Sequence, residues 1–166
     1  CQIGDVPYVG LEHIESHVNR LHRWGTSLEV RSAKGLFSPG DVLYGKLRPY
    51  LDKAALADFQ GVCSTDILIL RAQEETILPS ILVAILHTRE FMQYAISTTS
   101  GTNLPRTRWT SVREFRFTLP QLADQRIIER VLKAANAKIE AENARKSALE
   151  ALFHSLLHHP VSYTHL

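Results

Sequence analysis

Apolar positions fall in short runs over the first 118 residues and in one long stripe after them. Residues 7–11 (PYVGL) predict a short strand opening the chain, whereas 13–24 is polar and mixed and predicts no element. Residues 37–41 (FSPGD) predict a turn, since Pro39 presets φ and Gly40 tolerates positive φ. A strand is expected over 42–44. It breaks into a basic loop over 45–50, because Pro49 cannot donate to a central ladder. Residues 53–57 and 61–64 predict further short strands, and 66–71 (DILILR) a buried one. From Pro79, placed for a first helical turn, to about Ile96, apolar residues recur at Leu82, Ile85, Leu86, Met92 and Ala95, predicting one helix. The small polar residues 98–103 end it in a loop. Alternation from Glu114 through Phe115 and Phe117 predicts a last strand, closed by Pro120.

Residues 121–158 lack Gly and Pro and are dominated by good helix formers. One helix through them would span roughly 57 Å. Its stripe runs through Ile128, Leu132, Ala135 and Ile139. It resumes at Leu149, Leu152, Phe153, Leu156 and Leu157, after Glu142, Asn143, Arg145 and Lys146. The preceding domain is too short to cover such a face, which normally packs on another long helix. The partner is therefore another copy, another protein, or a segment upstream of Cys1.

Composition narrows the class. With 166 residues, 45% hydrophobic and 22% charged, the chain suits one domain, or one domain plus an appendage, and excludes wholesale disorder. No run approaches the roughly 20 apolar residues of a membrane span. The richest, 81–86, is followed by His87 and Arg89. The N-terminus shows no basic segment followed by an apolar core, so no signal peptide is expected. Two cysteines cannot make a disulfide scaffold and fit a reducing cytosol. The chain opens on Cys1, which suggests a start inside a longer reading frame. Residues 160–166 (PVSYTHL) match one frame of a common sequencing-library adapter and are read as read-through.

A net charge of +2 does not by itself suggest nucleic acid, and its uneven distribution reads on composition alone as ordinary solvated surface. Arginine outnumbers lysine 13 to 6, which favours bidentate contacts to phosphate or guanine. Lys46, Arg48 and Lys53 cluster against Asp52, and Arg106, Arg108, Arg113 and Arg116 against Glu114. Catalysis has no visible carrier. There is no phosphate-cradling glycine loop, dinucleotide fingerprint or S-adenosylmethionine motif, and no cofactor is expected. His13 and His17 have a zinc-like spacing, with His22 nearby. They lack a third ligand, so exposed histidines are expected and no metal. Cys63 reads as a small buried thiol. Residues 100–109 (SGTNLPRTRW) combine hydroxyls, an amide, two guanidiniums and an aromatic, a set suited to phosphate and base edges. Alternatively Arg106 and Arg108 pair with acids, and for Trp109 core packing is the expectation.

The order of these pieces resembles the specificity (S) subunit of type I restriction-modification systems. The resemblance rests on Gly40–Leu51 (GDVLYGKLRPYL), on Ser100-Gly101-Thr102-Asn103, on RFTLP at 116–120 and on LFHSLLH at 152–158. Most specific is LPQLADQRII at 119–128, like the family's junction between recognition domain and conserved helix. Gln121 stands where a second Pro is commoner, and Asp124 where Glu is. The resemblance implies an α+β fold: a mixed-sheet target-recognition domain over about 1–119, then a long helix over 120–159. That helix pairs as an antiparallel coiled coil and acts as a ruler. It also implies double-stranded DNA as ligand, with one half of a split target read by this domain. Catalysis would lie in partner methylation and restriction subunits, so the chain itself is expected to be no enzyme. The second helix would come from the other half of the subunit, this chain being its C-terminal half, or from a second copy of a half-length subunit.

Recognition domains vary with their targets, so no fixed contact list transfers. Lys46, Arg48, Tyr50 and Lys53 in the first loop, and Ser100, Thr102, Asn103, Arg106 and Arg108 in the second, are the expected DNA contacts. Lys46, Lys53, Ser100 and Thr102 would anchor phosphate, and Asn103, Arg106 and Arg108 would read bases. Ile128, Leu132, Ile139, Leu149 and Phe153 would form the helix seam. Two alternatives stay open: a recognition domain at the C-terminus of a single-chain restriction-methylation enzyme, and a protein that only makes helix-mediated interactions.

Overall fold

A computed structural model describes residues 6–26, 34–101 and 103–157. Thr102 and the adapter-like residues 160–166 lie outside them. Residues up to Arg126 form one compact unit and those from Ile127 a second.

The first unit holds seven described strands: β1 (Pro7–Val9), β2 (Gly25–Thr26), β3 (Lys34–Phe37), β4 (Asp41–Gly45), β5 (Ala54–Leu56), β6 (Gly61–Ser64) and β7 (Ile67–Arg71). They form a four-stranded sheet, β2-β1-β6-β3, and a three-stranded sheet, β5-β4-β7. β1 runs parallel to β6 and the other pairs are antiparallel, so the first sheet is mixed. β3 leads into β4, and so from sheet to sheet, through the expected turn. Gly40 has φ 89°, and the Asp41 N–H donates to Ser38 O at 3.0 Å.

Side-chain alternation in the second sheet explains its apolar sequence. Leu43, Ala55, Ile67 and Ile69 join a core with Val9, Ile14, Phe37 and Cys63 of the first sheet and its loops. Val42, Tyr44, Ala54 and Leu70 face the other way, onto Val83, Leu86, Phe91, Ala95 and Val112. A sheet buried on both faces reads as a continuous apolar run, not as an alternating one. β4 is accordingly buried at every position.

The helices on the outer face are α1 (Pro79–Leu86), α2 (Arg89–Ser97) and α3 (Trp109–Val112). Residues 79–96 are thus two helices, not the single one expected. Thr88 is extended and caps α2 by accepting from the Phe91 N–H at 3.3 Å, a strong local restart. Apolar positions on the two sides of the break read as one stripe because Leu86, Phe91 and Ala95 join the same core.

The strand expected from Glu114 is also absent. Residues 115–120 have no regular structure. Phe115 packs against Phe91, Tyr94 and Phe117, with ring centroids 5.1, 5.2 and 5.9 Å away, so aromatic packing rather than a ladder sets the alternation. Trp109 is 52% exposed, contrary to core packing, because it opens α3 at the surface.

α4 (Leu122–Leu157) matches the expected long helix and spans roughly 54 Å. No described helix is long and apolar enough to cross a membrane.

Candidate functional site

The two basic loops are distant in sequence and adjacent in space. The Arg48 N–H donates to Pro105 O at 2.8 Å and the Thr107 N–H to Lys46 O at 3.0 Å, with an isolated antiparallel bridge between Leu47 and Arg106. Arg106 also pairs with Ser100 through both backbone groups, at 3.0 and 3.1 Å, closing a loop over 100–106 in which Gly101 takes φ 97°. Lys46, Arg48 and Tyr50 therefore share one surface with Ser100, Asn103 and Arg108.

The site residues divide by what their side chains do. Arg48, Ser100, Asn103 and Arg108 are exposed, Tyr50 is half-exposed, and Lys46 is partly buried. Among the described residues Lys46, Arg48 and Arg108 have no acidic partner. Lys53 instead donates from Nζ to Leu11 O at 2.6 Å, tying the first loop to the segment after β1. Arg106 pairs with Asp66, Nε to Oδ1 at 2.9 Å. Arg113 pairs with Glu114 at 3.1 Å.

A buried node holds the first loop, and no local pattern announces it. Arg48 (φ 51°) and Asp52 (φ 49°) are left-handed residues flanking a 3-10 turn, Pro49–Leu51. Such non-glycine conformations cost of order 1–3 kcal/mol each and persist where the surroundings enforce them. At Asp52 the enforcement is visible. The carboxylate accepts from His17 Nδ1 at 2.6 Å and His87 Nδ1 at 2.9 Å, and its carbonyl from the His17 N–H at 3.0 Å. His87 Nε2 faces Ala54 O at 3.0 Å, so both its ring nitrogens meet acceptors, which only the doubly protonated ring can satisfy together. Burial penalises the Asp52 charge, but hydrogen bonds and charge attraction from His87, then His17, outweigh it and hold the carboxyl below its ordinary value. The two histidines of zinc-like spacing, His13 and His17, thus have separate partners. His13 Nδ1 accepts from the Gly10 N–H at 2.9 Å. No described group of three ligand-type residues could hold a metal ion.

Asp41 anchors the other end of β4. It accepts two hydrogen bonds from Arg71, both 2.7 Å, and one from the Ser38 N–H at 2.9 Å. Arg71 is the main cause of its lowered pKa. Cys63 is buried, as expected, and burial pushes its thiol up to about 11, too high for a ready nucleophile. A cavity of about 680 Å³ borders β7, lined mostly by apolar groups including Leu82, Ile85, Phe91, Trp109, Phe115 and Phe117.

Gln125 is the structural residue that the sequence reading passed over. It is fully buried at the start of α4. Its Oε1 accepts from the Leu78 N–H, and its Nε2 donates to Thr76 O and Pro120 O, all at 2.9 Å. The available signal was its position three residues after Leu122, on the inward side of the first turn. Farther along α4, Ile128, Ile139, Leu149 and Phe153 are exposed and Leu132 is partly buried.

A two-sheet domain with a stitched basic loop surface, followed in the chain by a long helix with an apolar stripe, defines an α+β class of protein. The chain belongs to the type I restriction modification DNA specificity domain family, whose model matches residues 2–151. It is 34% identical over 120 residues to the type I restriction enzyme EcoDI specificity subunit of Escherichia coli, covering 71% of this chain and 26% of that one. The HsdS subunit from Thermoanaerobacter tengcongensis shares the fold at TM-score 0.72 and 22% identity, over 96% of this chain and 45% of that one. A chain from a structure described as the basis of complex assembly and conformational transition of the type I R-M system gives TM-score 0.71 and 23% identity, over 98% and 45%. The chain thus spans under half the length of these relatives.

Proposed function

We propose that the chain reads one half of a split DNA target for a cytoplasmic type I restriction-modification complex. Methylation subunits, and through them a restriction subunit, supply the chemistry. The observation that carries this reading is the stitching of the two loops within a domain of this family. Three cations with no acidic partner among the described residues, Lys46, Arg48 and Arg108, lie on one surface with Tyr50 and Asn103. Phosphate contacts would set register and Asn103 or Arg108 would supply base contacts. Lys46→Ala should weaken binding to all duplexes alike in salt titrations and lower the log–log salt slope by about one. Unchanged affinity and slope would remove Lys46 from the interface.

The helix is the proposed spacer. Ile128, Leu132, Ala135, Ile139, Glu142, Lys146, Leu149, Phe153 and Leu156 follow one another at alternating steps of four and three, the heptad rule. An antiparallel partner of like sequence centred on Ala144 sets Ile139 against Leu149 and Glu142 against Lys146. The polar interruption thereby becomes a charge pair that fixes register. The partner is the second half of a longer subunit or another copy. Ile139→Asp should shift the assembled species to smaller size on a sizing column, and an unchanged elution volume would discard the seam.

A further inference from the structure

Arg106 stands apart from the other candidate contacts, because its backbone and side chain are both engaged. Its backbone closes the loop on Ser100, and the neighbouring Pro105 and Thr107 join that loop to Arg48 and Lys46. Its guanidinium turns to Asp66, in the Thr65-Asp66 turn between β6 and β7. Asp66 meets the other loop too, its carbonyl accepting from the Lys46 N–H at 2.9 Å. One turn residue therefore touches both basic loops, one through its backbone and the other through its side chain. The loop tip shows the opposite pattern: Gly101, Asn103 and Leu104 are exposed.

We infer that Arg106 and Asp66 are a positioning pair. The Asp66 carboxylate holds Arg106 so that the tip of the 100–106 loop, and not the Arg106 guanidinium, meets the DNA. This rests on the DNA-recognition reading above and assigns Arg106 a role other than base contact. An arginine on phosphate releases counterions and contributes about one to the salt slope, whereas a positioning arginine contributes to affinity alone.

The test uses the chain assembled with its methylation subunit and the duplex that the wild-type complex selects from a random-sequence pool. Arg106→Gln and Asp66→Asn should each weaken binding to that duplex by a similar factor, roughly tenfold, with the salt slope unchanged. The double variant should lose no more than either single one, since the pair acts as a unit. A cooperative melt of each variant is checked alongside. If Arg106→Gln unfolds the chain, Arg106→Lys takes its place, with a smaller loss at the same slope. The inference is overturned if Arg106→Gln (or Arg106→Lys) alters the slope by about one while Asp66→Asn binds as wild type, or if the two losses add. A wild-type complex that selects no duplex overturns the DNA-recognition reading itself, and the pair's role with it.

Discussion

Gln125→Leu is expected to destabilise the compact unit by roughly 2–3 kcal/mol, a large fraction of the stability of a domain this size. Leucine fills nearly the same volume, so packing is conserved and the loss isolates the amide. Three backbone groups lose their partner: the Leu78 N–H, Thr76 C=O and Pro120 C=O. A group shut from water and left unsatisfied costs about 1–3 kcal/mol; that weighs most on the Leu78 N–H, since Thr76 and Pro120 lie at exposed positions where water can reach them. Gln125→Glu should fare no better at neutral pH. It keeps an acceptor for Leu78 but aims a buried carboxylate at two carbonyls. Urea unfolding checks both variants, as a lower midpoint at unchanged slope. A loss below about 1 kcal/mol for Gln125→Leu would show that packing around Leu122, not the amide, holds the helix start.

The contrast between Gln125 and the strands shows what is legible in a sequence. β6 falls on residues 61–64 as expected, and β7 on all but one residue of 66–71. These elements are set by local apolar runs bounded by turn residues. The long helix is legible for a similar reason: 36 residues without Gly or Pro leave no place to stop. What misled was periodicity without hydrogen bonding. Phe115 and Phe117 alternate as a strand would, yet they stack on each other. Leu82, Ile85 and Leu86 on one side and Met92 and Ala95 on the other each keep helical spacing, but a helix boundary capped by the Thr88 hydroxyl lies between them.

The candidate site was legible only in its parts. Each basic loop stood out by composition, but their union depends on backbone bonds between residues about 60 positions apart, as with Lys46 and Thr107. No local pattern encodes such a pairing. Composition likewise could not separate the roles of similar cations. Lys46 and Lys53 look alike in sequence, yet Lys53 is bound to the Leu11 carbonyl. The difference is decided by which carbonyl the fold brings within reach.

The Asp52 node links this loop geometry to pH. Asp52→Ala is expected to cost of order 3 kcal/mol, since it leaves the inward-facing His87 without its carboxylate and releases the left-handed turn that presents Arg48 and Tyr50. The acid limb of the stability profile carries the same signature. With its folded pKa depressed, Asp52 contributes stability that is fully present above the ordinary carboxylate value near 3.9. The contribution is lost as pH falls from there through the folded value. Asp41, lowered chiefly by its hydrogen bonds from Arg71, behaves alike in the same window. Asp52→Asn should therefore flatten the acid limb by up to about one proton's slope, and Asp52→Asn with Asp41→Asn by up to about two. Urea midpoints measured from neutral pH down to pH 2 decide the matter. An acid limb in Asp52→Asn as steep as in the wild type would mean that the carboxylate is not held as a charged partner of the two histidines. Hydrogen exchange adds the functional half: amides of the Arg48–Asp52 turn should lose protection in Asp52→Ala while those of β4 keep theirs. Equal loss in both would make Asp52 a prop of the whole domain and not of the loop proposed to face DNA.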